Sequence, residues 1–402
     1  MTTIDQLETH GIPVTALAGG GPVQTRTVVH DVDQLRSLLD QGLDEQGRQA
    51  HYEALFNGIA PAATGGAADA SGTTLSQRIA AHVVGNADLS DADRAAIAPA
   101  FPLTAHVTAA PGPITVSSRY DLSTPDGSVQ IVSFSDVTLA QGGYFVCEST
   151  PLSFTCQTLT RTGNSGSSAA DFNILGKTGP TPATPPTPAA AGQAAAGTPG
   201  ECASAGIAGR GGANGSSGAA GTPGTAGTNG SPGTPSMQAT ITIQQTLSAS
   251  ALTVYSQSGP GGQGGNGGAG GPGQQGGNGG NGATCDCTGN GGGSGGNGGM
   301  GGPGGAAGSG GNAANAAGNV LIRVPTASDV ATVTHTTEPA PPGAAGQPGP
   351  GGPGGAGGVA GAGGKNNSGG GHGGSGSPGA TGSQGQSGTV TGQAALITVT
   401  PV

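Results

Sequence analysis

The chain has 402 residues, 87 of them Gly and 30 Pro, with 8% charged and 2% aromatic residues and no Trp. A formal net charge of −10 without a basic patch excludes the electrostatic footprint of a nucleic-acid binder. No run of roughly 18 apolar residues occurs, so no membrane span is expected.

The first 30 residues lack a basic start and a long apolar core, so they do not read as a Sec signal. Residues 32–60 read as helical, with Val32, Leu35, Leu38 and Leu39 on one face and Tyr52, Leu55 and Phe56 repeating the pattern. Segments 74–84 and 90–98 add two helices, the second opened by a capping-box variant of Ser90 and Asp93. Residues 61–72 form a loop between helices. From about 103 the pattern switches to alternating strands, ending with 171–177. The expected organisation is a helical N-terminal region over 1–102, a β-rich domain over 103–177, and repeats over 178–402.

The two halves differ in charge. Residues 1–200 hold 17 acidic and 8 basic residues, a net of −9, whereas 201–402 hold 4 and 3, a net of −1. In the second half a repeat of about 80 residues takes over. Its Gly-rich parts are 178–236, 259–318 and 340–392, and strand-like parts follow at 239–256, 319–337 and 394–402. Gly recurs every third residue at 206–233, 261–282, 289–304, 343–364 and 370–388. A period of three fits neither helix nor strand and points to polyproline-II-type backbone.

Each Gly-rich part breaks once, at Glu201–Ala205, Ala283–Thr288 and Lys365–Ser368. Each therefore reads as a hairpin of two arms and a tip, with arms of roughly 60–85 Å at ~3.1 Å per residue. The first outgoing arm is Pro/Ala-rich, which suits an outer position because Pro has no N–H. Disorder is the competing reading, since glycine loses most backbone entropy on folding. Strict registry, near-equal unit spacing and the interleaved strands favour order. The expected fold class is mixed: an N-terminal helical plus β-rich domain, then a β layer carrying three polyglycine-II/polyproline-II hairpins as a six-arm bundle.

Cysteine supplies the other sharp signal. Cys147 and Cys156 read as adjacent-strand residues able to form a local bridge, while Cys202, Cys285 and Cys287 fall at tips. A bridge from Cys202 to either Cys285 or Cys287 would staple two hairpins and leave one cysteine over. Free thiols are the alternative. Cys285-Asp286-Cys287 has no second ligand pair and is a poor metal site. His30, Asp31 and Asp33 could ligate a cation but precede a helix and read as a solvated turn. Lys365, Asn366, Asn367 and His372 are candidate tip contacts. Sequons at Asn214, Asn229 and Asn366 are of the kind Asn/Ser-rich sequence produces by chance. No catalytic motif, cofactor site or metal site is recognisable.

The triplets GGQGGNGGAGGPG and GGNGGMGGPGG resemble those of polyglycine-II bundle proteins, a loose group that includes snow flea antifreeze proteins and Gly-rich phage tail-tip adhesins. The resemblance implies a fold for about 210 residues and leaves function open. The leading expectation is a non-enzymatic, self-assembling fibre or filament subunit at an extracellular, cell or virion surface, reached by a route other than Sec. Its partners would be copies of itself. The alternatives are a receptor-binding spike whose tips contact a cell-surface receptor or glycan, and an ice-binding protein.

Overall fold

Val and Thr alternate in VQTRTVV, and the segment forms strand β1 (Val23–Val29). The computed structural model describes residues 21–39, 44–56, 75–110, 112–165, 170–203 and 207–402. The loop expected at 61–72, residues 40–43 and 57–60 of the 32–60 helical segment, Thr74 of the 74–84 segment, and tip residues Ser204, Ala205 and Gly206 lie outside these.

Four α-helices are found among the described residues: α1 (Val32–Leu39), α2 (Glu45–Phe56), α3 (Leu75–Val83) and α4 (Asp91–Ile97). Ser90 caps α4 by accepting the Asp93 N–H. The Asp93 carboxylate turns instead to Arg78, which donates to both of its oxygens.

After α4 the chain enters strands β2 (Leu103–Ala110), β3 (Ile114–Val116), β4 (Arg119–Asp121), β5 (Val129–Leu139), β6 (Tyr144–Glu148), β7 (Leu152–Arg161) and β8 (Phe172–Leu175). Strands β9 (Ala239–Ser248), β10 (Leu252–Gln257), β11 (Val320–Val324), β12 (Val333–Glu338) and β13 (Ile397–Pro401) follow between the Gly-rich segments. They sort into two sheets. One runs β1-β2-β5-β7-β9-β11-β13, with β3 also on β5, and the other runs β12-β10-β8-β6-β4. Every pairing is parallel except β1 with β2. From β5 onward the chain alternates sheets strand by strand, so each coil stacks in register on the one before.

The inward faces of both sheets make the main core. Phe134, Phe145, Phe154 and Phe172 fill the early coils, with Phe145 stacked on Phe172 at 5.0 Å. Ile241, Ile243, Val254, Val320, Ile322 and Ile397 continue it. The helices cover the outward face of the larger sheet, where Val32, Leu55, Val83, Val84 and Leu89 pack on Leu321.

The expected fold class is therefore corrected. The chain is a mixed α/β fold built on parallel-rich sheets with few helices, and a glycine hairpin bundle does not define its class. The reason is where the side chains are. Large apolar residues sit on strands and helices, so sheet pairing and the core set the class. The strands between the Gly-rich segments do not form a layer of their own. They extend the same two sheets that contain β5–β8.

Candidate functional site at the joined tips

The Gly-rich segments all leave at one corner of the coil, after β8, β10 and β12, and return into β9, β11 and β13. That corner is pinned by side chains: Ser236 and Ser258 are buried with hydroxyls 3.0 Å apart. Each segment runs out as one limb and back as another. Limbs 1 and 2 are 178–200 and 207–236, limbs 3 and 4 are 259–282 and 289–318, and limbs 5 and 6 are 340–364 and 369–392.

Neighbouring limbs exchange backbone hydrogen bonds at every third residue. The N–H groups of Gly265, Gly268 and Gly271 donate to the carbonyls of Thr228, Thr225 and Thr222. Those of Gly264, Gly267 and Gly270 donate to Ala344, Gln347 and Pro350. Close approach is what glycine supplies: a Cβ on Gly299 would lie 1.8 Å from the Ala219 carbonyl oxygen. In limb 1, Pro182, Pro185 and Pro188 occupy the register in which Gly179, Gly197 and Gly200 donate to limb 3, so donors are missing there.

At several triplets a further backbone N–H is taken up by a side chain. Asn266, Asn278 and Asn281 accept through Oδ1 from the backbone of Gln347, Val359 and Ala362. Asn297 and Asn312 serve Gly374 and Thr389 in the same way. Asn214 and Asn229, the sequon residues, accept from Ser294 and Ser309. Their side chains are thus engaged between limbs.

At the far end the three tips are bound together. Cys202 and Cys285 form a disulfide across a sequence separation of 83. Asn290 Nδ2 donates to the carbonyls of both Glu201 and Arg210, at 2.8 and 2.7 Å. Ala208 N–H donates to Thr288 Oγ1 at 3.2 Å. The third tip is held by Lys365 Nζ, which donates to the Asp286 carbonyl at 2.8 Å, and by Asn367 Nδ2, which donates to Gly289. Asn366 turns the chain with φ of 58°, a left-handed conformation that asparagine tolerates better than most residues.

Of the expected tip contacts, Lys365, Asn366 and Asn367 are at this surface. His372 is off it, on limb 6, with Nδ1 accepting the Ala360 N–H at 3.4 Å. Cys287 is at the tip, exposed and unbridged. The local bridge expected between Cys147 and Cys156 is corrected: both are buried free thiols. They lie on consecutive strands of opposite sheets, β6 and β7, and face the shared core. Cys147 donates to the Thr150 carbonyl, and burial pushes its thiol up to about 12. Burial raises the Cys156 thiol as well.

Charge marks the tip in a way that the triplet pattern concealed. The Gly-rich parts contain four charged residues, Glu201, Arg210, Asp286 and Lys365, and all four are exposed at the joined tips. Arg210 faces Glu201 at 3.6 Å. The signal was present in the sequence as the positions of those four residues.

Elsewhere, the candidate cation ligands have protein partners. Asp31 accepts the Gln34 N–H at the start of α1, and Asp33 pairs with Arg94 and His82. The hydrogen bond from Arg94, with His82 adding to it, holds the Asp33 carboxyl below its ordinary value. Among the described residues no group of three or more His, Cys, Asp or Glu could hold a metal ion. No helix among them is long and apolar enough to cross a membrane.

No protein-family model, no curated protein and no solved structure matches this chain.

Proposed function

We propose that this is a non-enzymatic structural protein of an extracellular, cell or virion surface: the sheet body is a base, and the Gly-rich limbs form a spike whose joined tips make the contact. The observation that carries the reading is the tip itself. A disulfide and side-chain hydrogen bonds tie described residues of three separate loops to one another, the arrangement in which loops on a scaffold become recognition elements. The disulfide supports an oxidising setting. The triplet resemblance to Gly-rich tail-tip adhesins points the same way.

The limb stack also supports a finite spike over a growing filament. Limb 4 faces limb 6 with Gly292, Gly295, Gly298 and Gly301, where a Cβ at the first three would lie 2.2, 2.0 and 1.9 Å from limb 5 oxygens. Each of these precedes a residue that donates back to limb 3. In limb 6 the residues in that register, before Gly373, Gly376, Gly379 and Gly382, are His372, Ser375, Pro378 and Thr381. Side chains there obstruct a further limb pair, and Pro378 lacks the donor.

A second reading, the self-assembling filament subunit, is favoured by β13. Val320 N–H donates to Leu396 O and Val402 N–H donates to Val324 O, so Ile397 and Val399 turn their backbone groups away from β11. That edge could receive a strand. Negative-stain electron microscopy separates the readings. Isolated uniform particles, each with one projection, are expected of a spike. Regular fibres would overturn that reading in favour of the filament.

A further inference from the structure

We infer that the tip recognises a protein surface carrying both signs of charge, and that Glu201, Arg210, Asp286 and Lys365 set the match. The inference rests on the spike reading above. The shaft behind the tip is neutral along its whole length, because no other charged residue occurs in the three Gly-rich parts. Neither folding nor solubility of the shaft explains why charge returns only where the limbs end.

The signs decide the class of partner. Two carboxylates and two cations sum to zero. A polyanion, whether nucleic acid, anionic lipid or acidic glycan, needs a net positive surface that this tip lacks. The tip has no aromatic ring on which a sugar face could stack. What it does have is an apolar residue, Ile207, 60% exposed, which lies in the chain between Glu201 and Arg210 and next to Ala208, whose N–H bonds to Thr288 Oγ1. An apolar contact with a polar, charged rim is the layout of a protein–protein interface. Charge complementarity in such a rim supplies specificity and association rate.

Three of the four charged side chains, those of Glu201, Arg210 and Lys365, are engaged before contact. The Arg210–Glu201 pair and the Lys365 bond to the Asp286 carbonyl hold these side chains in place, so less is lost on binding.

The test uses the full chain, fluorescently labelled, on a panel of bacterial and eukaryotic cells. The decisive variant exchanges the pair, Glu201→Arg with Arg210→Glu, which keeps an internal ion pair but reverses its direction. A second variant, Ile207→Ser, removes the apolar contact. Disulfide mapping by mass spectrometry verifies that both retain Cys202–Cys285. Binding is expected to fall on the order of tenfold in either variant and in high salt. It should vanish after the cells are shaved with protease and survive periodate oxidation of their glycans. Binding that ignores the exchange and the salt, or that is lost to periodate and not to protease, would overturn the inference while leaving a spike. Wild-type protein that binds no cell in the panel would overturn the spike reading, and the inference with it.

Discussion

The sheet body and the Gly-rich limbs are held together by different halves of protein chemistry. In the body, side chains do the joining: phenylalanines and β-branched residues from two sheets fill one core. In the limbs the backbone does most of it, with N–H to carbonyl bonds of 2.7–3.2 Å and almost no buried large side chain. The first design tolerates change in the backbone's neighbours and is sensitive to side-chain volume. The second is sensitive to the presence of any side chain at all.

The largest expected effect lies in the body. Phe154 is fully buried and touches Phe134, Phe145 and Phe172 at centroid distances of 5.8, 5.2 and 5.1 Å. Phe154→Ala should cost about 3–5 kcal/mol in urea unfolding. An effect below 1 kcal/mol would mean that the limbs, not the core, carry the stability.

Next comes a pH effect at the helix–sheet interface. His51 is buried against Thr240, and burial, aided by the nearby Arg323 guanidinium, pushes its pKa down to about 4. The unfolded chain takes up that proton near 6.5 and the fold does not. Its contribution is therefore complete above pH 6.5 and is lost as pH falls toward 4, by about 3 kcal/mol. His51→Gln should flatten urea midpoints across that window. A slope unchanged by the substitution would assign the pH dependence elsewhere.

Removing the staple should act mainly on the far end. Cys202→Ser with Cys285→Ser is expected to cost about 2–4 kcal/mol in limb opening, read by hydrogen exchange at Gly212 and Gly280, with little change at β5 and β7. Equal loss in both regions would show that tip and body unfold as one unit.

The smallest effects use one substitution in two places. Gly299→Ala should destabilise by about 1–3 kcal/mol because its methyl would meet the Ala219 carbonyl oxygen. Gly192→Ala, where nothing lies within 4 Å, should stabilise by about 0.4–1 kcal/mol through the unfolded chain. Thermal melts of the two would show opposite signs if close backbone approach governs the limbs.

Local features of the fold were legible because local chemistry produces them. The Ser90 cap and the apolar face of Val32 and Leu38 are decided within a few residues. The fold class was not legible. Leu152 opposite Ala239, and Ala239 opposite Val320, are parallel pairings that no hairpin signal announces. Strand β1 has no local signal of its partner, because it is a short strand ahead of the helices that pairs with β2 from beyond them. Cys147 and Cys156 look like neighbours only if consecutive strands share a sheet, and here they alternate. At the tip, the cysteine positions showed the staple as one of two choices. The role of Asn290 could not be seen, since its two carbonyl partners come from the preceding excursion.

The asparagines between the limbs have a consequence in time. Asn-Gly is the dipeptide most prone to spontaneous deamidation, because the glycine nitrogen attacks the side-chain carbonyl carbon of the asparagine before it. In this chain Asn278 Oδ1 accepts the Val359 N–H, and the next residue, Gly279, donates its own N–H to the Val359 carbonyl. Both ends of the would-be ring are thus tied to the same neighbour. Asn281 and Gly282 are held in the same way by Ala362. Ring closure at these two sites requires both bonds to be released first, so deamidation there is expected to be slower in the folded chain than in the unfolded one.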